Sequence, residues 1–110
     1  MNKYYLFIDD ERNINIDDLY LFNYITIVRT YDEAIKVINF VNSLEDTEFF
    51  IDLDHDLGSE KTGYDICKYL IENNIPCHFR IHSMNPVGRI NMCQLLTHYG
   101  NKRFYLEGDI

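Results

Sequence analysis

The 110-residue chain is 46% hydrophobic and 15% aromatic, with a formal net charge of −8. That length suits one domain, residues 1–110, around a single core, and no segment is polar enough to read as disordered. The acidity excludes broad, sequence-independent nucleic-acid binding, which depends on many lysine and arginine contacts to phosphate.

The apolar runs are too short for a bilayer, and no charged–apolar–small leader pattern precedes the first strand, so a cytoplasmic location is expected. Cys67, Cys77 and Cys93 form no CxxC pair. Cys67 and Cys93 fall on apolar helical faces and read as structural thiols.

In chain order, residues 3–8 (KYYLFI) read as a first strand that ends at Asp9-Asp10-Glu11-Arg12. The following NINIDDLYLFNY has no clear period, so the first helix is expected to be short or absent. ITIVRT (25–30) is β-branched and strand-like. Thr30 with Glu33 has capping-box spacing, and Ala34, Ile35, Ile38, Val41 and Leu44 recur at helical spacing over 31–44. Phe49, Phe50, Ile51 and Leu53 form a third strand that stops at Asp54-His55-Asp56, before Leu57 and Gly58.

Thr62 and Asp65 repeat the capping spacing for a helix to about Asn73, with Ile66, Cys67, Leu70 and Ile71 inward. CHFRIH (77–82) is a fourth strand. Asn85 and Pro86 then suit the N-cap and first position of a helix with Val87, Ile90, Cys93 and Leu96 inward and Gly100 as its stop. KRFYLE (102–107) reads as a fifth strand.

Strands alternating with helices predict a parallel sheet with right-handed crossovers, a three-layer α/β sandwich of flavodoxin-like order 2-1-3-4-5. Ligands in such sheets bind beyond the carboxyl ends of the strands, at the switch between the first and third. Asp9-Asp10, Asp54-His55-Asp56 and His82-Ser83 all fall there.

Clustered carboxylates repel, and a divalent cation relieves that; oxygen ligands suit Mg²⁺ or Ca²⁺, and nearby imidazoles favour Mn²⁺ or another transition metal. Asp10 and Asp54 lead the candidate ligands, with Asp9 or Asp56 completing the set. His55 and His82 are the candidate acid–base pair, because an unperturbed imidazole titrates near neutrality. His78 and His98 have no such company. The helix N-terminus at Asn85 is a ready anion site, where Ser83 can donate, Gly88 permits close approach, and Arg89 and Arg12 can neutralise a phosphate. Asp52 shares a strand face with Asp54 inside a buried segment and needs a partner, for which Arg80 and Lys102 are the candidates.

The succession IDDER, LDHDLG, TGYD, IHS and NPVGR–NM resembles the cyclic-phosphate processing receiver-like domains, relatives of two-component receivers, over Tyr5 to Tyr105. The resemblance implies a receiver-type fold and a phosphoesterase-like role. Its motifs fall on Asp9, Asp10, Arg12, Asp54, His55, Asp56, His82, Ser83, Asn85 and Arg89. The expectation is a metal-dependent phosphoesterase-like domain that opens a 2′,3′-cyclic RNA end or a small cyclic nucleotide, the partner being a small phosphate-bearing ligand or an RNA end. In that reading Asp9, Asp10 and Asp54 hold Mg²⁺ or Mn²⁺, and His55, His82 and Asp56 carry the catalysis. The alternatives are a module that binds the same ligand without turnover and a phospho-accepting receiver. Receivers place a lysine at the carboxyl end of the fifth strand. Here that end reads Tyr105-Leu106-Glu107-Gly108, and Lys102 lies at the wrong end.

Overall fold

The computed structural model describes residues 1–106 and 109. Five parallel strands, β1 (Asn2–Ile8), β2 (Tyr24–Val28), β3 (Thr47–Leu53), β4 (His78–Ile81) and β5 (Lys102–Arg103), form one sheet in the order β2-β1-β3-β4-β5. Three helices follow successive strands: α1 (Tyr31–Asn42), α2 (Gly63–Glu72) and α3 (Pro86–His98). This is the receiver-like α/β fold. Between β1 and β2 a single 3₁₀ turn, Ile16–Leu19, stands where the sequence lacked a helical period.

Local chemistry starts each helix where the sequence placed it. The Glu33 N–H donates to Thr30 Oγ1 at 3.1 Å, the Thr62 N–H to Asp65 Oδ2 at 2.8 Å, and the Gly88 N–H to Asn85 Oδ1 at 3.0 Å. After α2, Asn74 adopts a left-handed φ of 53°, a conformation asparagine tolerates at a helix stop.

All three helices pack on one face of the sheet. Ala34, Ile38 and Val41 of α1, Ile66, Cys67 and Leu70 of α2, and Met92 and Leu96 of α3 share one core with Leu6, Ile8, Ile51, Leu53 and Phe79. The opposite face holds Tyr5, Phe7 and Phe50 with Leu19, against which Ile14, Phe22, Phe104 and Leu106 pack. The expected third layer is therefore thin, made of one turn and coil segments instead of helices.

Two expectations change. Val87 and Ile90 are exposed and Cys93 is only partly buried, so the inward face of α3 is Gly88, Met92 and Leu96. Proline at the first position and the approach of Gly88 to a neighbouring ring fix the rotation of this helix. The last strand is limited to Lys102–Arg103. Phe104 and Leu106 leave it to pack on the thin face, and Glu107 lies outside the described residues.

Candidate functional site

Strand pairing brings the ends of β1, β3 and β4 together: Ile8 pairs with Leu53, and Leu53 with Ile81. The next residue of each strand is Asp9, Asp54 or His82, so three separate crossovers deliver chemistry to one edge. One ligand atom from each of these three lies within 4.8 Å of the other two.

Asp9 is the hub. Its Oδ1 accepts the Glu11 and Arg12 N–H groups at 2.8 and 2.7 Å, and its Oδ2 meets Arg12 Nε at 3.0 Å and His82 Nε2 at 2.9 Å. Burial pushes this carboxyl up, but the hydrogen bonds from Arg12, Glu11 and His82 outweigh that and hold it at about 2. Arg29, from the end of β2, donates to the Asp9 and Arg12 carbonyls and to Asn13 Oδ1, which pins the loop carrying these groups.

His82 stacks on Phe7 with ring centroids 4.6 Å apart, and both its nitrogens are engaged. Nδ1 is 2.6 Å from Asp52 Oδ1, and Nε2 faces Asp9. Each ring nitrogen of His82 thus meets its own carboxylate, one from inside the sheet and one from its edge. Asp52, fully buried, is further held by the Tyr5 hydroxyl and by Arg80 NH1 at 2.9 Å. Of the two candidate partners for Asp52, Arg80 is the one present, and Lys102 starts β5 opposite His78. Burial beside Asp52 pushes the Tyr5 hydroxyl strongly up, so it stays a donor. Arg80 in turn grips Asp109 with Nε and NH2 at 2.6 and 2.7 Å. A continuous polar chain therefore runs Asp109–Arg80–Asp52–His82–Asp9–Arg12–Asp54.

Asp54 ends that chain. Its side chain is 8% exposed, and Oδ2 accepts from Arg12 NH2 at 3.3 Å. Among the described residues Oδ1 has no partner. Next to it His55, 20% exposed, places Nδ1 2.9 Å from Asp56 Oδ1 and 3.4 Å from Asn85 Nδ2. Its Nε2 has no chain partner among the described residues. The ring lies against the first turn of α3, where a Cβ on Gly88 would come 2.5 Å from His55 Cγ. Ser83, buried, accepts from the Asn85 N–H at 3.1 Å.

The expected ligand set of Asp9, Asp10 and Asp54 is thus brought together in part. Asp9 and Asp54 meet, and His82 completes the trio in place of Asp10. Asp10 turns toward Gly58, where a Cβ would approach its Oδ2 to 2.9 Å. Two carboxylates and an imidazole suit Mg²⁺ or Mn²⁺, but Asp9 and His82 are occupied and the Arg12 guanidinium bridges Asp9 to Asp54. Of this donor set, the free oxygen of Asp54 is the position open to a cation among the described residues.

Of the expected phosphate-binding residues, Arg12 reaches the acid cluster, and Asn85 and Gly88 gather at His55 with Ser83 behind them. Arg89 donates NH1 to the Ser83 carbonyl at 3.0 Å and lines a cavity with Arg80, Arg103 and Asp109. Tyr5, Arg29 and Asp109 went unpredicted. Only Tyr5 carried a signal, because it shares the alternating face of Asp52.

No helix among the described residues is long and apolar enough to cross a membrane. A family model described as the cyclic-phosphate processing receiver domain matches residues 4–98. No curated protein and no solved structure matches the chain.

Proposed function

The chain belongs to the cyclic-phosphate processing receiver family, and from that premise we propose that it is a metal-assisted phosphoesterase that opens a cyclic phosphodiester. The observation that carries this reading is the pairing, at one sheet edge, of a buried carboxylate with a free oxygen, Asp54, and an imidazole with one oriented and one free nitrogen, His55. Asp54, with Asp9 beside it, would hold Mg²⁺ or Mn²⁺, which would supply charge neutralisation at the phosphate oxygens.

The chain's own residues divide the remaining work. Arg12, 46% exposed, leaves the Asp9–Asp54 bridge to meet a non-bridging oxygen. Ser83 keeps its hydroxyl proton to donate, and the bare Gly88 lets the His55 ring seat against the first turn of α3. His55 Nε2 takes the proton of the attacking water; a P–O bond forms to water, one ester P–O bond breaks, and the same imidazole returns its proton to the leaving oxygen. Asp56 orients the ring through Nδ1. His82, with both nitrogens engaged by Asp52 and Asp9, acts as a fixed support and not as the second proton carrier.

The test is purified protein with Mg²⁺ or Mn²⁺ and a panel of 2′,3′- and 3′,5′-cyclic substrates. Opening that is lost in His55→Asn and in chelator supports the reading; a panel left unopened sinks it.

One observation favours a second reading, a module that binds the phosphate without turnover. Arg12 already balances Asp9 and Asp54, as a bound cation would. Calorimetry showing tight binding with no product by chromatography would select it. The phospho-receiver reading is weaker, since Lys102 pairs with His78 at the far end of β4 from Asp54. No phosphate taken up by Asp54 from a small phosphodonor would remove it.

A further inference from the structure

Arg80, Arg89 and Arg103, three of the chain's five arginines, line one cavity of about 270 Å³ beside β4 and β5, together with Ile81, Phe104, Tyr105 and Asp109. That size suits a small group better than a drug-sized ligand. The charges do not balance. Arg80 is matched by Asp52 behind it and Asp109 in front. Arg89 bonds only the Ser83 carbonyl, and Arg103 lies over the Tyr105 ring at 5.0 Å. Among the described residues neither has a carboxylate partner. Two guanidinium groups without a carboxylate partner among the described residues thus line one cavity in a chain of net charge −8, an arrangement that favours an anion there.

The cavity already shows how it holds one. The Asp109 carboxylate receives Nε and NH2 of Arg80 as a fork, and its Oδ2 also accepts the Leu106 N–H at 2.9 Å. A planar fork plus a backbone N–H is an oxyanion receptor, and the tail carboxylate is its resident anion.

We propose that this cavity is a second phosphate-binding site, distinct from the Asp54 edge, in which a phosphoryl group takes Arg89 and Arg103 and competes with Asp109 for Arg80. The dianion meets three guanidinium groups where the carboxylate meets one, so it displaces the tail. Arg89 also holds the Ser83 carbonyl, and Asn85 of the same segment approaches His55, so residues 83–89 join the two sites.

The site does not depend on the proposed catalysis, and the experiment keeps them apart. Orthophosphate is titrated by calorimetry into full-length protein carrying Asp54→Asn, with chelator present and ionic strength fixed by chloride. Saturable one-to-one binding is expected. Arg103→Gln, an exposed change that leaves the Ser83 turn intact, should weaken it at least ~10-fold, as loss of a charge-assisted hydrogen bond does. Arg89→Gln should do the same, and Asp109→Asn should tighten binding. A nucleoside monophosphate run in parallel separates an organic phosphate from the free ion by which binds tighter. Absent saturable binding, or an affinity indifferent to Arg103→Gln and Arg89→Gln, overturns the proposal.

Discussion

Asp52 Oδ1 stands 2.6 Å from His82 Nδ1, and this contact ties the buried interior of the sheet to its carboxyl edge. Asp52 also serves Tyr5 and Arg80, so three polar side chains depend on one carboxylate with no access to water. Removing one member of a buried ionic set strands the others and costs about 3–5 kcal/mol. Asp52→Ala is expected to lose that much in urea unfolding. Asp54→Ala, whose partner Arg12 is 46% exposed, should lose under ~1 kcal/mol. Equal losses would mean that the network does not carry the fold.

A cation bound through Asp54 should be visible as stability. At ~100 times its dissociation constant it stabilises by about 2.7 kcal/mol, a rise in melting temperature of roughly 10 °C at ~4–8 °C per kcal/mol. Asp54→Asn should erase the difference between metal and chelator. Arg12→Gln should enlarge it, because the guanidinium that bridges Asp9 and Asp54 competes for the same oxygens. If the difference survives Asp54→Asn, the ion binds elsewhere.

Much of this was legible in the sequence because local rules and tertiary packing agree. Thr30, Thr62 and Asn85 cap the helices they were expected to cap, and the apolar runs that end at Asp9, Asp54 and His82 gave both the strand order and the shared edge. What stayed hidden depends on contacts of long sequence separation. Asp109 meets Arg80 across 29 residues, and Arg29 reaches back to Arg12 across 17. No spacing rule links such pairs. The rotation of α3 departs from its sequence pattern for a related reason: Val87 and Ile90 fit an apolar stripe, but the contact of Gly88 with His55 sets the face that turns inward.

Acid should unfold the protein through Asp9. Burial raises this carboxyl, but the bonds from Arg12, Glu11 and His82 lower it further, from 3.8 to about 2. The unfolded chain therefore binds the proton more readily than the folded one. The stabilisation, about 2 kcal/mol, is fully present above pH 3.8 and is lost as pH falls through about 2. Urea midpoints measured across that window should fall in the wild type. Asp9→Asn, which has no carboxyl to protonate, should show a flatter profile from a lower starting stability. The same slope in both would place the acid sensitivity elsewhere.

Gly88→Ala separates positioning from folding. The added Cβ would stand 2.5 Å from His55 Cγ and 2.6 Å from Cδ2, so the ring must move away from Asp56 and Asn85. Overpacking costs about 1–3 kcal/mol, while alanine in a helix recovers up to ~1 kcal/mol relative to glycine. The net change in unfolding free energy should therefore be modest. Turnover is far more sensitive, because a displacement of ~1 Å in a catalytic group costs on the order of 100-fold in rate. Opening of a cyclic phosphate should fall by about that factor in Gly88→Ala, with ligand affinity much less changed, since Arg12 and the Asp54 carboxylate lie outside the clash. Affinity and rate falling together would instead make His55 part of the binding surface and would favour the module that captures the phosphate without opening it.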